Sequence, residues 1–194
     1  MVSDGRSGSG ESECMIKKEF AEVPKGNEVA RVTIEEEPIT ETITATEYDS
    51  NIQIPAKLFV YRTPSMIEKD AYILDMISSI LTDGRSSRMY KKMVDEEKTA
   101  LQVLAFPRSQ EDYGTYVMGA LALGETPLDT LAVSMDEEIY KLQNELISEK
   151  EYQKLQNKFE NRFVNSNSSI QGIASSHATY NVLYGDTDLI NEEI

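Results

Sequence analysis

Apolar residues recur every three or four positions along Asp70–Glu97, and they do so twice. Ile73, Leu74, Ile77, Ile80 and Leu81 form one stripe, with Asp75, Ser78 and Ser79 off it, which predicts an amphipathic helix with one face to bury. Met89, Tyr90, Met93 and Val94 form a second stripe, with Lys91, Lys92, Asp95 and Glu96 toward water. Between the stripes lies Gly84-Arg85-Ser86-Ser87-Arg88. Gly84 comes just past the last apolar residue, where a left-handed C-terminal cap avoids the Cβ penalty, and Ser86 or Ser87 can cap the next helix. The pattern predicts two helices meeting at a corner.

Elsewhere the period changes. Met15–Phe20 reads as the end of a helix stopped by Pro24 and Gly26. Ile39, Glu41, Ile43 and Ala45 alternate with Thr40, Thr42, Thr44 and Thr46, which predicts a half-exposed strand over Ile39–Tyr48. Asp49-Ser50-Asn51 then turns the chain into a second strand, Ile52–Arg62, in which Pro55 marks an edge, a bulge or a start. These two are expected to form a hairpin. Ala100–Phe106 and Tyr113–Leu123 are two further strands, joined by the polar loop Pro107–Asp112.

Thr126-Pro127 opens a third helix as N-cap and first helical residue, with Asp129 complementing its positive end. Leu128, Leu131, Ala132, Met135, Ile139, Leu142 and Leu146 make its stripe. Ser148 and Glu151 form a capping box for a fourth helix carrying Tyr152, Leu155, Phe159 and Phe163, and Ile147 is placed to staple onto Tyr152. Polar Asn165–Ser169 interrupts it or lets it bend before a fifth helix, with Ile170, Ile173, Ala174, Tyr180 and Leu183, which ends at Gly185. Local strand pairs interspersed with helix pairs give an α+β fold class: a two-layer domain with a mainly antiparallel sheet and helices packed on one face.

At 194 residues, 40% of them hydrophobic, the chain is long enough for one real core. Residues 1–14 read as a flexible tail, linker or appended segment, and 15–194 as a single domain. With no apolar core, the start is not a secretory signal, and no run reaches the ~18 apolar residues needed to cross a bilayer. With 34 acidic against 19 basic residues the net charge is −15, which argues against nucleic acid and anionic membranes as partners. Such a field attracts cationic peptides, but it serves solubility as well. The single cysteine, Cys14, excludes an internal disulfide framework and leaves the compartment open, cytoplasm or periplasm.

The chemistry of a hydrolase is missing from the sequence. A zinc site needs at least three protein ligands, usually including imidazole, and the chain has one histidine. His177 follows Ile173 by four residues and precedes Tyr180 by three, so it reads as a packed or partly exposed histidine. His-x-x-Glu-His, His-Glu-x-x-His, Gly-x-Ser-x-Gly and a phosphate-cradling Gly-x-x-x-x-Gly-Lys-Ser/Thr loop are all absent. Asp95-Glu96-Glu97 and Asp136-Glu137-Glu138 are adjacent residues on helices, which point in different directions and read as solvated faces. No catalytic and no metal-ligating residues are assigned.

Four stretches together carry a family likeness: IKKEFAEVPKG (16–26), IQIPAKLFVYRTP (52–64), DAYILDMISSILTDGRSSRMYKKMVDEE (70–97), and FVNSNSSIQGIA with NVLYGD (163–174 and 181–186). In this order and spacing they resemble the non-catalytic domain of the pitrilysin or insulinase-type zinc peptidases, the inverzincins, over about nine-tenths of the chain. The resemblance implies a LuxS/pitrilysin-like metallopeptidase fold. It also implies a clamshell parent whose zinc lies in another domain, so the cofactor is expected in the parent and none in this chain. Gly84, Arg85, Ser86, Ser87 and Arg88 are then the structural signature corner.

Two departures refine that placement. Non-zinc halves of the family carry an Arg and, seven residues later, a Tyr that grip the substrate backbone; here those positions hold Val94 and Leu101. The likeness is therefore to the second domain of a zinc-bearing half. The strand expected before Ile16 and the helix expected after Ile194 are missing, which implies truncation at both ends and an exposed sheet edge favouring dimer contacts. The implied function is to wall the substrate chamber of a zinc metalloendopeptidase, beside a zinc domain, a second half or subunit, and a peptide substrate. The alternative is a catalytically inactive structural or assembly subunit of the same fold that binds a partner chain.

Overall fold

The computed structural model describes residues 9–24, 26–27, 32 and 34–191. The chain divides into two units: residues 34–155 form one, and the described residues up to 32 together with 156–191 form the other.

The larger unit is built on a three-stranded antiparallel sheet, β1 (Ala56–Thr63), β2 (Ala100–Arg108) and β3 (Gly114–Ala122), in the order β1-β3-β2. β2 and β3 form the expected hairpin. β1 begins just after Pro55, whose carbonyl accepts the N–H of Ala122 at 2.8 Å, so the proline marks a strand start. The other half of the first expected hairpin does not form. Ile39–Tyr48 has no regular structure and lies exposed, and β1 pairs with β3 instead. Glu41 falls between Ile39 and Ile43 on what would be the apolar face of that strand, so alternation alone gives it nothing continuous to bury.

Helix α2 (Lys69–Thr82), a π-helix (Tyr90–Glu96) and α3 (Leu128–Asn144) cover one face of the sheet. Their stripes meet it as the spacing predicts: Leu81, Met89, Met93, Leu131 and Met135 join Ala105, Tyr116, Met118, Ala120 and Ala122 in one buried cluster. Fully burying a side chain of that size stabilises by about 1.5–3 kcal/mol. Polar stitches reinforce the packing. Ser78 Oγ lies 3.2 Å from the Tyr116 hydroxyl, and Thr82 Oγ1 donates to the Ala105 carbonyl at 3.3 Å. Five expected stripe members, Ile73, Leu146, Tyr152, Ile170 and Ile173, are exposed, while Ser79, expected off the stripe, is buried.

The second helix of the corner differs from expectation in its winding. Its seven residues are π-helical, ending where Glu97 N–H bonds the Lys92 carbonyl at 2.8 Å, and Lys98 takes a left-handed φ of 53° to redirect the chain into β2. α3 starts one residue later than expected, with Pro127 as its extended N-cap.

The other unit contains α1 (Ser9–Phe20), the distal part of α4 (Glu149–Ser166), α5 (Ile170–Leu183) and a 3-10 turn (Asp188–Asn191). α1 begins at Ser9, so residues 9–14, expected to belong to a tail, are helical. At the α4–α5 junction Ser169 Oγ accepts the N–H of Gly172 at 3.0 Å, and Ser176 Oγ bonds Asn167 Oδ1 at 2.9 Å. Gly185 follows α5 at φ +73°, a conformation that favours glycine. No described helix is long and apolar enough to cross a membrane.

Candidate functional site

The corner is set by its backbone. α2 ends with the Asp83 N–H on the Ser79 carbonyl at 3.4 Å, and Gly84 follows at φ +74°, the left-handed position that glycine adopts without the Cβ penalty. The N–H and hydroxyl of Ser87 both bond the Gly84 carbonyl, at 3.1 and 2.7 Å, and the Ser87 carbonyl accepts the N–H of Lys91 at 3.0 Å. Ser87 leads into the π-helix, whose N-cap is Met89, and its buried hydroxyl donates backward instead of capping it. Ser86 accepts a bond from Lys154 Nζ at 2.7 Å. Arg85 is exposed.

Arg88 turns inward and meets Glu151, 63 residues away, through two parallel bonds: Nε to Oε1 at 2.7 Å and Nη2 to Oε2 at 2.9 Å. The same carboxylate closes the capping box of α4, accepting from Ser148 N–H at 2.9 Å and from its hydroxyl at 2.8 Å. The hydrogen bond from Arg88, ahead of those from Ser148, holds the Glu151 carboxyl down at about 2 despite partial burial. Val94 packs half-buried against the core. Leu101 lies half-exposed in the β-bulge between Ala100 and Gln102.

A charged cluster that reads as solvent-facing in the sequence is partly buried. Lys92 Nζ, on a side chain 13% exposed, bonds Glu137 and lies 3.8 Å from Glu138 and 3.9 Å from Glu97. Glu138, only 3% exposed, also binds Lys141 Nζ at 2.6 Å, and Ser134 Oγ donates to Glu97 at 2.8 Å. One residue of the first acidic triplet, Glu97, and two of the second, Glu137 and Glu138, therefore gather around one lysine. The bond from Lys92 draws the Glu137 carboxyl below its ordinary range, and Glu138 draws Lys141 above its own.

His177, the one histidine of the sequence, is half-buried in α5. Among the described residues no group of three or more His, Cys, Asp or Glu side chains is placed to hold a metal ion. The donor set does not fit the metal, and no hydrolytic step is built from these residues.

The sheet face opposite the helices is mostly apolar and mostly open within this unit. Strand register aligns it in four rows: Ala56-Leu121-Gln102, Leu58-Gly119-Leu104, Val60-Val117-Phe106 and Arg62-Thr115-Arg108. Val60 is 59% and Phe106 47% exposed. At the last row, Arg62 and Arg108 line one cavity with Val60, Tyr113 and Thr115, and with Ile39 from the preceding segment. Arg62 Nη2 pairs with Glu36 at 2.6 Å, and its Nη1 donates to the Glu37 carbonyl. Sequence spacing could not group these residues, because β1 and the β2–β3 hairpin, tens of residues apart, bring them together.

Known proteins share this architecture. The structure of a protease from Helicobacter pylori superposes with a TM-score of 0.81 at 22% identity, covering 96% of this chain and 46% of that one. The peptidase M16 inactive domain from Pseudomonas fluorescens superposes at 0.69 and 13% identity, covering 96% and 43%. In sequence, the zinc protease PqqE of Helicobacter pylori is 23% identical over 148 residues. The alignment takes in 75% of this chain, which spans about a third (33%) of that relative's length. The sequence matches the peptidase M16 inactive domain over residues 9–159, well over half of its length, and the chain therefore belongs to that family of inactive domains related to zinc proteases.

Proposed function

We propose that this domain serves as a non-catalytic wall of the peptide chamber in an M16 zinc peptidase, with the zinc held by a domain outside this chain. The observation that carries this reading is the mostly open, mostly apolar sheet face, with Leu58, Val60, Leu104 and Phe106 side by side and exposed or half-exposed. An extended peptide presents alternating side chains that fit such a pleated surface, and apolar area left open on a folded domain marks an interaction surface. The corner Gly84–Arg88 acts structurally: Arg88 fixes it to the start of α4 through Glu151. With Val94 and Leu101 where an Arg and a Tyr would grip the substrate backbone, this wall contacts peptide through side-chain packing.

The test combines this chain with the zinc-bearing domain of its parent and follows cleavage of a quenched peptide. Phe106→Lys is expected to lower kcat/KM about threefold to tenfold, as burying a charge against an apolar ligand costs about 1 kcal/mol or more. The chain alone with zinc is expected to give no turnover. Chelator-sensitive cleavage by the isolated chain, or full activity of Phe106→Lys, would overturn the reading.

A further inference from the structure

We infer that the arginine end of the open face is a carboxylate subsite: an extended peptide lying over the apolar rows places one acidic side chain between Arg62 and Arg108, and Glu36 is the occupant the chain supplies to itself. This deepens the chamber reading and rests on it.

The row geometry makes the case. Arg62 and Arg108 flank Thr115 on the same face as Val60, Val117 and Phe106, separated by about two strand spacings, roughly 10 Å. In a chain of net charge −15, this end of the face offers two guanidinium groups next to apolar side chains. Arg62 already demonstrates the chemistry, binding the Glu36 carboxylate and the Glu37 carbonyl, the pair of contacts that an extended acidic peptide provides. Ile39 from the same segment shares the cavity with Val60. Arg108, on the other flank, is exposed and lines the same cavity.

Glu111 and Asp112 also line this cavity. They repel further negative charge, so the subsite takes a single carboxylate next to an apolar residue and disfavours an acidic run. The overall acidic field favours basic peptides at long range; this row selects at contact for one acidic group. Glu36, tethered 26 residues before Arg62 in the same chain, competes intramolecularly, so it weakens the site toward peptides until it is displaced.

The experiment measures fluorescence anisotropy with the full chain and two labelled probes patterned on residues 34–40: Ile-Gln-Glu-Gln-Pro-Ile-Thr, with one carboxylate side chain, and its all-Gln counterpart. The Glu probe is expected to bind about tenfold more tightly than the Gln probe, as a charge-assisted contact to arginine would give. Glu36→Gln in the chain, which frees Arg62, is expected to tighten the Glu probe about fivefold, while Arg108→Ala and Arg62→Ala each weaken it at least fivefold. Equal binding of the two probes, or unchanged binding in both arginine variants, overturns the subsite. If both probes bind equally and Phe106→Lys weakens both, the acidic preference fails while the peptide-binding face stands. If neither probe binds at millimolar concentration, both fall.

Discussion

Arg88 and Glu151 are joined by two parallel hydrogen bonds of 2.7 and 2.9 Å, and the carboxylate that receives them also caps the helix it belongs to. One side chain thereby fixes both the entry of α4 and the exit of the α2 corner.

Because Arg88 depresses the Glu151 carboxyl from 4.5 to about 2, the pair contributes stability that is complete above the unfolded value and is lost as pH falls through the folded one. The window is therefore about pH 4.5 down to 2. Both side chains keep some exposure, 18% and 30%, so solvent screening limits the contribution to about 1–2 kcal/mol. Urea unfolding at pH 7 and pH 2 checks it. Glu151→Gln should narrow the difference between the two pH values by that amount, and a cycle of Arg88→Ala with Glu151→Ala should give a coupling of about 1–2 kcal/mol at pH 7.

The Lys92 cluster behaves differently because two of its members, Lys92 and Glu138, are largely buried. Lys92→Met removes the cation shared by Glu137, Glu138 and Glu97 and leaves Glu138 in the core with Lys141 alone. A broken buried pair costs about 3–5 kcal/mol. Since Lys141 remains, about 2–3 kcal/mol is expected. The double variant Lys92→Met/Glu138→Leu should recover at least half of that loss in thermal unfolding, because no unpaired charge remains buried. A double variant as unstable as Lys92→Met alone would show that the cluster is held by shape and not by charge.

This cluster also shows how far the sequence reaches. Helix spacing is a local property, and it located α2, α3, α4 and α5 and the β2–β3 hairpin because each is formed by neighbours in the chain. The partner of β1 is not a neighbour: Ala56 meets Leu121 and Thr63 meets Gly114, so the Thr-rich alternation of 39–48 pointed to a pairing that long-range packing does not use. The arginine row was hidden for the same reason. Glu138 was not hidden. It continues the stripe Leu131, Met135, Leu142 at steps of four, three and four, and an acid on an apolar stripe calls for a buried cation. Arg88 carried a weaker signal, since Glu151 announced itself only as a capping-box residue.

Gly172 tests the α4–α5 junction. A Cβ there would overlap the Ser166 carbonyl oxygen and stand 3.2 Å from Ser169 Oγ. The obstacle is backbone, so no rotamer relieves it, and Gly172→Ala must displace one helix end from the other. About 3 kcal/mol is expected, at the upper end for overpacking, with new protease cleavage between Asn165 and Ser169 as the local readout. Unchanged melting and unchanged cleavage would show that the junction relaxes freely.

Gly119 makes a sharper case, since the obstacle is shared between a movable and a fixed group. A Cβ on Gly119 would overlap Leu58 Cδ2, and it would stand 2.9 Å from the Lys57 carbonyl oxygen and 3.6 Å from Leu104 Cδ1. Leu58 therefore crosses the central strand where a side chain is lacking. Gly119→Ala should cost about 1–3 kcal/mol, because Leu58 must leave its rotamer while the carbonyl stays. Leu58→Ala alone removes a side chain already 53% exposed and should cost about 1 kcal/mol or less. In the double variant the leucine no longer blocks the new methyl, so the losses should be less than additive by about 1 kcal/mol, measured by urea unfolding. Strict additivity would mean that the Lys57 carbonyl alone sets the cost, and that the leucine is free to move aside on the open face.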